Sequence, residues 1–314
     1  MASELVRSTR MEPTALRRLI VRNKQADKIF AIVGLLAMLV AVFALAVLLI
    51  KLIIDGGARV DWQFMTSFPS RHADKAGILS AWVGSCLVML VTVFSAVPVG
   101  IGAGVYLEEY ARRGWITDLI EINVTNLAGV PSIVYGLLAL GLFVYGLGFG
   151  QSILAAGLTL GLLILPVVIV STREAIRAVP AAMREAAYAL GATRWQTVRD
   201  HVIPYSTGGI LTGVILGLSR AIGETAPVIT IGALTFIAFL PPAPLTSAPP
   251  FVSFEWLTAP FTVMPIQMFN WLSRPQAAFI ENSAAAGLVL VLMTVGMNAV
   301  AIWLRYRYRK KIKW

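Results

Sequence analysis

Six predominantly apolar stretches punctuate the chain, at roughly 29–54, 80–106, 124–147, 152–172, 207–239 and 283–304. Each reaches or approaches the about twenty residues that a helix needs to cross the hydrocarbon core of a bilayer. None shows the ten-residue alternation of a barrel strand, and within lipid a helix satisfies its own backbone polar groups. The pattern predicts an all-α, polytopic membrane protein with six transmembrane helices. Between the fourth and fifth runs stands a polar-faced segment, EAAYALGATRWQTVRDHVIP, from Glu185 to Pro204. Pro180 is expected to open a helix there, Gly191 to close it, and Thr193 to cap a second short helix running to about His201. Two short helices joined at a glycine make a candidate docking surface. An ordinary amphipathic helix lying on the membrane face is the simpler alternative.

Composition agrees, because 58% hydrophobic and 13% charged residues exclude a soluble globular domain. Charge predicts the orientation. Lys and Arg number seven up to Lys28, two over 107–123, five over 173–206 and six after Leu304, whereas the intervening loops hold only Arg59, Arg71, Lys75 and Arg274. The positive-inside rule then places both termini and the polar segment in the cytoplasm. The same asymmetry accounts for the net charge of +10 through contact with anionic lipid headgroups, without nucleic acid. The expected organisation is a cytoplasmic tail over 1–28, one membrane domain over 29–304 with an inner loop at 173–206 and an outer loop at 240–282, and a basic tail over 305–314. The first apolar run is expected to remain as an anchor. The single cysteine, Cys86, allows no intramolecular disulfide, and His72 and His201 fall on opposite sides of the membrane, so no metal site is expected. The outer loop is rich in aromatics, with Trp256, Phe261, Phe269 and Trp271 expected at the headgroup level and a short helix across the mouth of the pathway.

The fifth run carries the candidate chemistry. Its 33 residues would span about 50 Å as one helix, more than a bilayer demands, and Pro227 is the expected break. Gly209, Gly213 and Gly217 form a stripe that admits a close helix neighbour. Arg220 and Glu224 share a face, deep in the hydrocarbon, where an arginine needs a partner or a wet cavity. The pair reads either as an oxyanion site, with the guanidinium fork presented to a passing anion, or as an ion pair that fixes helix packing. Ser219 and Thr225 are weaker candidates for the same path. No Gly-x-x-x-x-Gly-Lys-Ser/Thr occurs, and the glycines near 100–104, 146–150 and 157–161 are expected to serve helix packing and turns. Catalysis is not expected of this chain.

The Glu-Ala-Ala, three residues, Gly, nine residues and apolar-x-apolar-Pro pattern resembles the EAA loop of ABC importer permeases, although His201 and Ile203 stand where that family usually has Ile and Leu. In that family the loop couples to a separate ATPase, and the resemblance assigns this role to Glu185, Ala186, Ala187, Gly191 and Pro204. The stretch SRAIGETAP, Ser219 to Pro227, resembles the phosphate importer permeases of the PstA type, and it assigns the substrate pathway to Arg220, Glu224, Ser219 and Thr225. Type I importer architecture in the bacterial inner membrane is thereby implied, with no cofactor on this chain and ATP used by the partner. The implied partners are an ATPase dimer (PstB type), a second permease (PstC type) and an extracytoplasmic phosphate-binding protein (PstS type). Arg220 and the glycine stripe are expected to face either a second copy of this chain or a related permease, and the outer loop is a candidate contact for the binding protein. Permeases for molybdate or sulfate share a similar Arg-x-x-Gly-Glu core and remain an alternative. An ion-coupled secondary transporter, with Arg220 and Glu224 as its coupling pair, is another.

Overall fold

The computed structural model describes residues 13–112, 114–244 and 251–311, with side chains described between 23 and 307. The start of the N-terminal tail, residues 245–250 of the outer loop and the end of the basic tail lie outside the described residues. Two compact units are present, Met1–Ile54 and Asp55–Trp314. The first is built on α1 (Pro13–Gly56), whose proline occupies an initial helical position where its missing N–H costs nothing. Apart from Lys51, its side chains over Ile29 to Ile54 are apolar and almost all exposed, as a lipid-facing helix requires.

The second unit opens with α2 (Trp62–Thr66), which is capped by Asp61 accepting from the Phe64 amide at 2.6 Å. Arg59 fastens this segment. It donates to Asn282 Oδ1 at 2.9 Å and to the carbonyls of Ala73, Asp74 and Ala76 at 2.8–3.2 Å. The helix α3 (Leu79–Val105) then continues through a π turn at Tyr106–Tyr110. Next come α4 (Trp115–Leu127) and α5 (Ser132–Ala139), the latter extended by a π turn at Leu140–Gly146. The helix α6 (Ile153–Arg177) is capped by Ser152. Two short helices follow, α7 (Ala181–Ala189) and α8 (Arg194–Thr197). Then come α9 (Ile203–Gly223), α10 (Ala226–Ile231), α11 (Met264–Leu272) and α12 (Ala277–Lys311).

Among the described residues five helices are long and apolar enough to cross a membrane, and six spans result if α4 and α5 form one broken crossing. The expected third span, 124–147, is therefore corrected. The chain enters helix earlier, at Trp115, and bends by 107° between Leu127 and Ser132. Pro131 explains the break, because it supplies no N–H and pushes the preceding residue out of the helical region. The fifth span is corrected as well. Helix α9 ends at Gly223, and the chain after Ile231 is extended and no longer helical. Pro227 lies second in α10, and the residue whose carbonyl its ring would strike, four positions back, is Gly223.

The core lies where α6 packs between α3 and α9. Small residues set the spacing. A Cβ on Gly100 or Gly104 would strike Val168 or Thr172 at 2.7 Å, and one on Gly157 or Gly161 would strike Val91 or Ser95, so α3 and α6 run parallel in near-contact. Gly209 and Gly213 of α9 meet Ala175 and Ser171 of α6 in antiparallel sense. The glycine stripe is thus occupied within the chain, which corrects the expectation that it faces a second permease. A small-residue stripe signals close approach and leaves the partner open. Helix α12 adds two polar rungs to α9. Arg305 Nη1 donates to Thr212 Oγ1 at 2.8 Å, and Ser219 Oγ stands 2.7 Å from Asn298 Oδ1. The rungs lie seven residues apart on both helices.

The outer aromatics are also corrected. Trp256, Phe261 and Trp271 are buried, and only Phe269 is exposed. They fill the space under a folded outer segment in which α11 packs on α3 and α12, with Trp271 beside Phe64 and Phe279. Burial of whole rings outweighs their preference for the headgroup level.

The close α6–α9 approach is testable. Gly213→Leu should lower the thermal-unfolding midpoint of the detergent-purified protein well below that of Gly208→Leu, where open space surrounds the new side chain. Overpacking of this kind costs about 1–3 kcal/mol. Equal midpoints for the two variants would contradict the packing described.

Candidate functional site

The loop between α6 and α9 is shaped by local rules. Helix α7 begins after Pro180 and ends in a Schellman motif, with Gly191 N–H bonded to Tyr188 O at 2.9 Å and Ala192 N–H to Ala187 O at 3.0 Å. Gly191 takes φ +85°, a left-handed conformation that other residues adopt only with strain. Thr193 and Gln196 form a reciprocal capping box at the start of α8. The expected stop near His201 does not occur. A π turn at Val198–Val202 carries the chain without interruption into α9, so helix runs from Arg194 to Gly223. Pro204 sits second in α9, where the wider preceding turn relieves the clash of its ring with the carbonyl four residues back.

Glu185, Ala186 and Gly191 are exposed, whereas Ala187 is buried against the body of the protein. Leu190 is 90% exposed, and Tyr188 and Trp195 also protrude. An apolar knob flanked by a Glu185 carboxylate that has no ion-pair partner among the described residues is an unusual free surface, of the kind that marks a protein contact. Beneath it Val105, Ile176, Val179, Val198 and Val202 form a separate buried cluster.

Ion pairs surround that cluster. Arg177 is bidentate on Glu108, at 3.2 and 3.0 Å. Arg173, only 8% exposed, pairs with Glu121 at 2.9 Å and lies 3.5 Å from Glu108. Arg184 reaches Glu109 Oε1 at 2.6 Å. None of these residues was singled out from the sequence, where they counted only toward charge asymmetry. Their signal is an acidic pair, Glu108–Glu109, placed at the end of one apolar run while arginines close another.

The second candidate region sits at the far end of α9. Arg220 donates through Nε to Glu224 Oε1 at 3.2 Å, and its Nη1 and Nη2 have no hydrogen-bond partner among the described residues. The arginine side chain is 42% exposed and the glutamate 19%. Glu224 leaves the helix with ψ 126° and lines a narrow cleft with Ser85, Leu160, Val228 and Val263. Ser219 stands apart from this pair. It donates to Ile215 O at 2.7 Å and is turned to Asn298 of α12. Thr225 is half-buried at the start of α10, and its side chain makes no hydrogen bond among the described residues. Chemically, the pair offers a guanidinium held at one nitrogen with its terminal fork open.

Residues 96–314 match the family described as the binding-protein-dependent transport system inner membrane component. The chain belongs to this family. It is 33% identical over 297 residues to the probable ABC transporter permease protein YqgI of Bacillus subtilis, covering 93% of this chain and 98% of that protein. It is 33% identical over 304 residues to the phosphate transport system permease protein PstA of Mycobacterium leprae, covering 96% and 94%. With PstA of Yersinia pestis it shares 32% over 280 residues and 87% of each chain. Among solved structures, the inward-facing MetNI methionine ABC transporter superposes with a TM-score of 0.54 at 15% identity, covering 76% of this chain and 96% of that one. The type I importer permease fold expected from the sequence is thereby established. As an ABC importer permease the chain is a multi-pass inner-membrane transport component, not an enzyme, and its family works with a separate ATPase and a substrate-binding protein.

The permease loop yields a local prediction. Gly191→Ala should speed amide exchange at Gly191's position and at Ala192 by roughly tenfold, as a left-handed alanine costs about 1–2 kcal/mol, with Gly191→Asn affected less. Equal exchange in both variants and the parent would contradict the strained turn.

Proposed function

We propose that this permease forms half of the pathway of an ATP-driven phosphate importer and that α7 and α8 are its docking surface for the ATPase. The observation that carries the substrate side is the Arg220–Glu224 pair. One nitrogen of the guanidinium is held at 3.2 Å while the other two are open. A planar fork with permanent charge matches an oxyanion, and the carboxylate beside it limits how tightly the anion is held. Phosphate is favoured over molybdate or sulfate by the names of the relatives, several of which are phosphate transport permeases. Thr225 and Ser219 flank the pair as secondary contributors. Arg220 is half-exposed, so its open side is the one a second permease of PstC type would complete.

On the docking side, Glu185, Ala186 and Gly191 face outward and would enter the groove of a PstB-type ATPase dimer, with Leu190 as the apolar anchor. Ala187 and Pro204 shape the loop from within. Both termini and the docking loop lie in the cytoplasm, the side favoured by the excess of Lys and Arg. The folded outer segment receives a PstS-type phosphate-binding protein. ATP binding in the partner draws the loops together and tilts the helices to open the pathway outward, and hydrolysis reverses this. Because helix is unbroken from Arg194 to Gly223, displacement of the loop reaches Arg220 along one rod. An ion-coupled transporter gains no support, since the chain's family is driven through a separate ATPase.

Two outcomes test this reading. Arg220→Gln should cut phosphate uptake by about ten- to a hundredfold with the complex still assembled, the loss expected when a charged hydrogen-bond donor worth about 1.5–3 kcal/mol is removed. Parent-like uptake by the variant would make the pair structural, and competition by molybdate or sulfate would move the substrate to another oxyanion. Glu185→Ala should weaken co-purification of the ATPase while membrane insertion stays intact. Unchanged co-purification would remove Glu185 from the docking surface.

A further inference from the structure

The docking loop does not rest on the membrane domain by apolar contact alone. Arg184, the residue before Glu185, engages with all three guanidinium nitrogens. Nε and Nη2 donate to Glu109 Oε1 at 3.0 and 2.6 Å, Nη1 donates to Val179 O at 2.8 Å, and Nη2 also reaches Ile176 O at 3.1 Å. The Ile176 carbonyl lies in the last turn of α6, and the Val179 carbonyl lies in the link just beyond it. Glu109 belongs to the π turn that ends α3, and its side chain is only 7% exposed. The other arm of the loop holds the same turn, with the Arg194 guanidinium 5.9 Å from the centre of the Tyr110 ring. The end of α3 is thus gripped from both sides of the docking loop, and the end of α6 from the Arg184 side.

We propose that Arg184 is a positioning residue for energy coupling, a bracket that binds the docking helix α7 to the inner ends of α3 and α6 so that force from the ATPase reaches the whole helical core. The inference rests on the reading of this loop as the ATPase docking surface. The physical case is one of stiffness. Without the bracket, α7 connects to α6 through a short link at Ala178–Pro180 and to α8 through the Gly191 turn, and both are points where a chain can pivot. A push on α7 would then be absorbed by rotation. With the bracket, contacts at Glu109, Ile176 and Val179 tie α7 to the end of α3, to α6 and to the link itself. One of them, at Ile176, ends on α6, which meets α9 through Ser171–Gly213 and Ala175–Gly209, and α9 bears Arg220. A buried charge pair suits this task better than apolar contact, because separating Arg184 from Glu109 strands a carboxylate with little access to water.

The test uses the reconstituted importer with its ATPase and binding protein, and reads phosphate transported per ATP hydrolysed. Arg184→Met should lower that ratio by roughly tenfold, with ATP hydrolysis retained and the complex assembled in normal amount. Arg184→Lys, which keeps the charge but loses the fork, should fall between. Glu109→Gln should lower the ratio in the same direction. A merely structural role would reduce the amount of complex while leaving the ratio of the surviving complex at the parent value, and that result overturns the inference. Should Arg184→Met yield no complex, the ratio is read on Arg184→Lys and Glu109→Gln, with the same two outcomes. Absence of ATP-driven phosphate uptake by the parent complex would instead overturn the functional reading on which the bracket depends.

Discussion

Close approach of backbones is the constraint on which the rest of this permease depends. In lipid there is little hydrophobic gain from packing one apolar helix on another, so association relies on van der Waals fit between surfaces that come very near. Helix α6 achieves this on two sides, through Gly157 and Gly161 against α3 and through Gly209 and Gly213 of α9. The resulting three-helix slab is close-packed, and hence stiff, where these glycines line its seams. Its stiffness gives meaning to what is attached at either end.

Polar groups are placed where that slab ends. At the docking end, Glu108, Glu109 and Glu121 meet Arg173, Arg177 and Arg184, so charges from four separate helices satisfy one another where α3 and α6 stop. At the other end, a single pair, Arg220 and Glu224, stands where α9 breaks. The two arrangements differ in a way that matches the tasks proposed for them. The docking cluster pairs each of its arginines with a carboxylate, and Arg184 uses every guanidinium nitrogen, as a mechanical joint should. The pathway pair leaves the arginine fork open, as a transient ligand site should. A charge kept in an apolar layer costs several kcal/mol unless it is compensated, so its incomplete pairing points to function.

Much of this was legible in the sequence, for reasons that can be named. Apolar run length reveals spans, and the Pro180, Gly191 and Thr193 signals are local, so the first docking helix and the start of the second emerged as they stand, while the run of the second into α9 did not. Motif-bearing residues such as Arg220 and Glu224 were found because i,i+4 spacing places them on one helical face. What could not be read is tertiary. A glycine stripe declares a close neighbour without naming it, and the neighbour of Gly213 turned out to be Ser171 of the same chain. Arg184 and Glu109 are separated by 75 residues, and nothing in their local contexts pairs them. The buried state of Trp256 and Trp271 likewise depends on an outer segment that folds back over the helices, where composition alone suggested an interfacial position. The bend at Pro131 was in principle readable, and was hidden by the apolar residues on both sides of it.

The account joins a docking loop, a stiff three-helix slab and a half-open arginine into one moving body. Its central claim is that the loop and the pathway residue travel together. The most direct measurement is the pulsed dipolar distance between spin labels at Ala182 on α7 and Gly223 at the end of α9. It would be taken in the reconstituted importer without nucleotide and with ATP bound, after replacement of Cys86. The account predicts the same distance in both states, while the distance from Gly223 to the second permease changes. A change in the distance from Ala182 to Gly223 between the two states would show that the docking loop moves independently of the pathway, and would contradict the account.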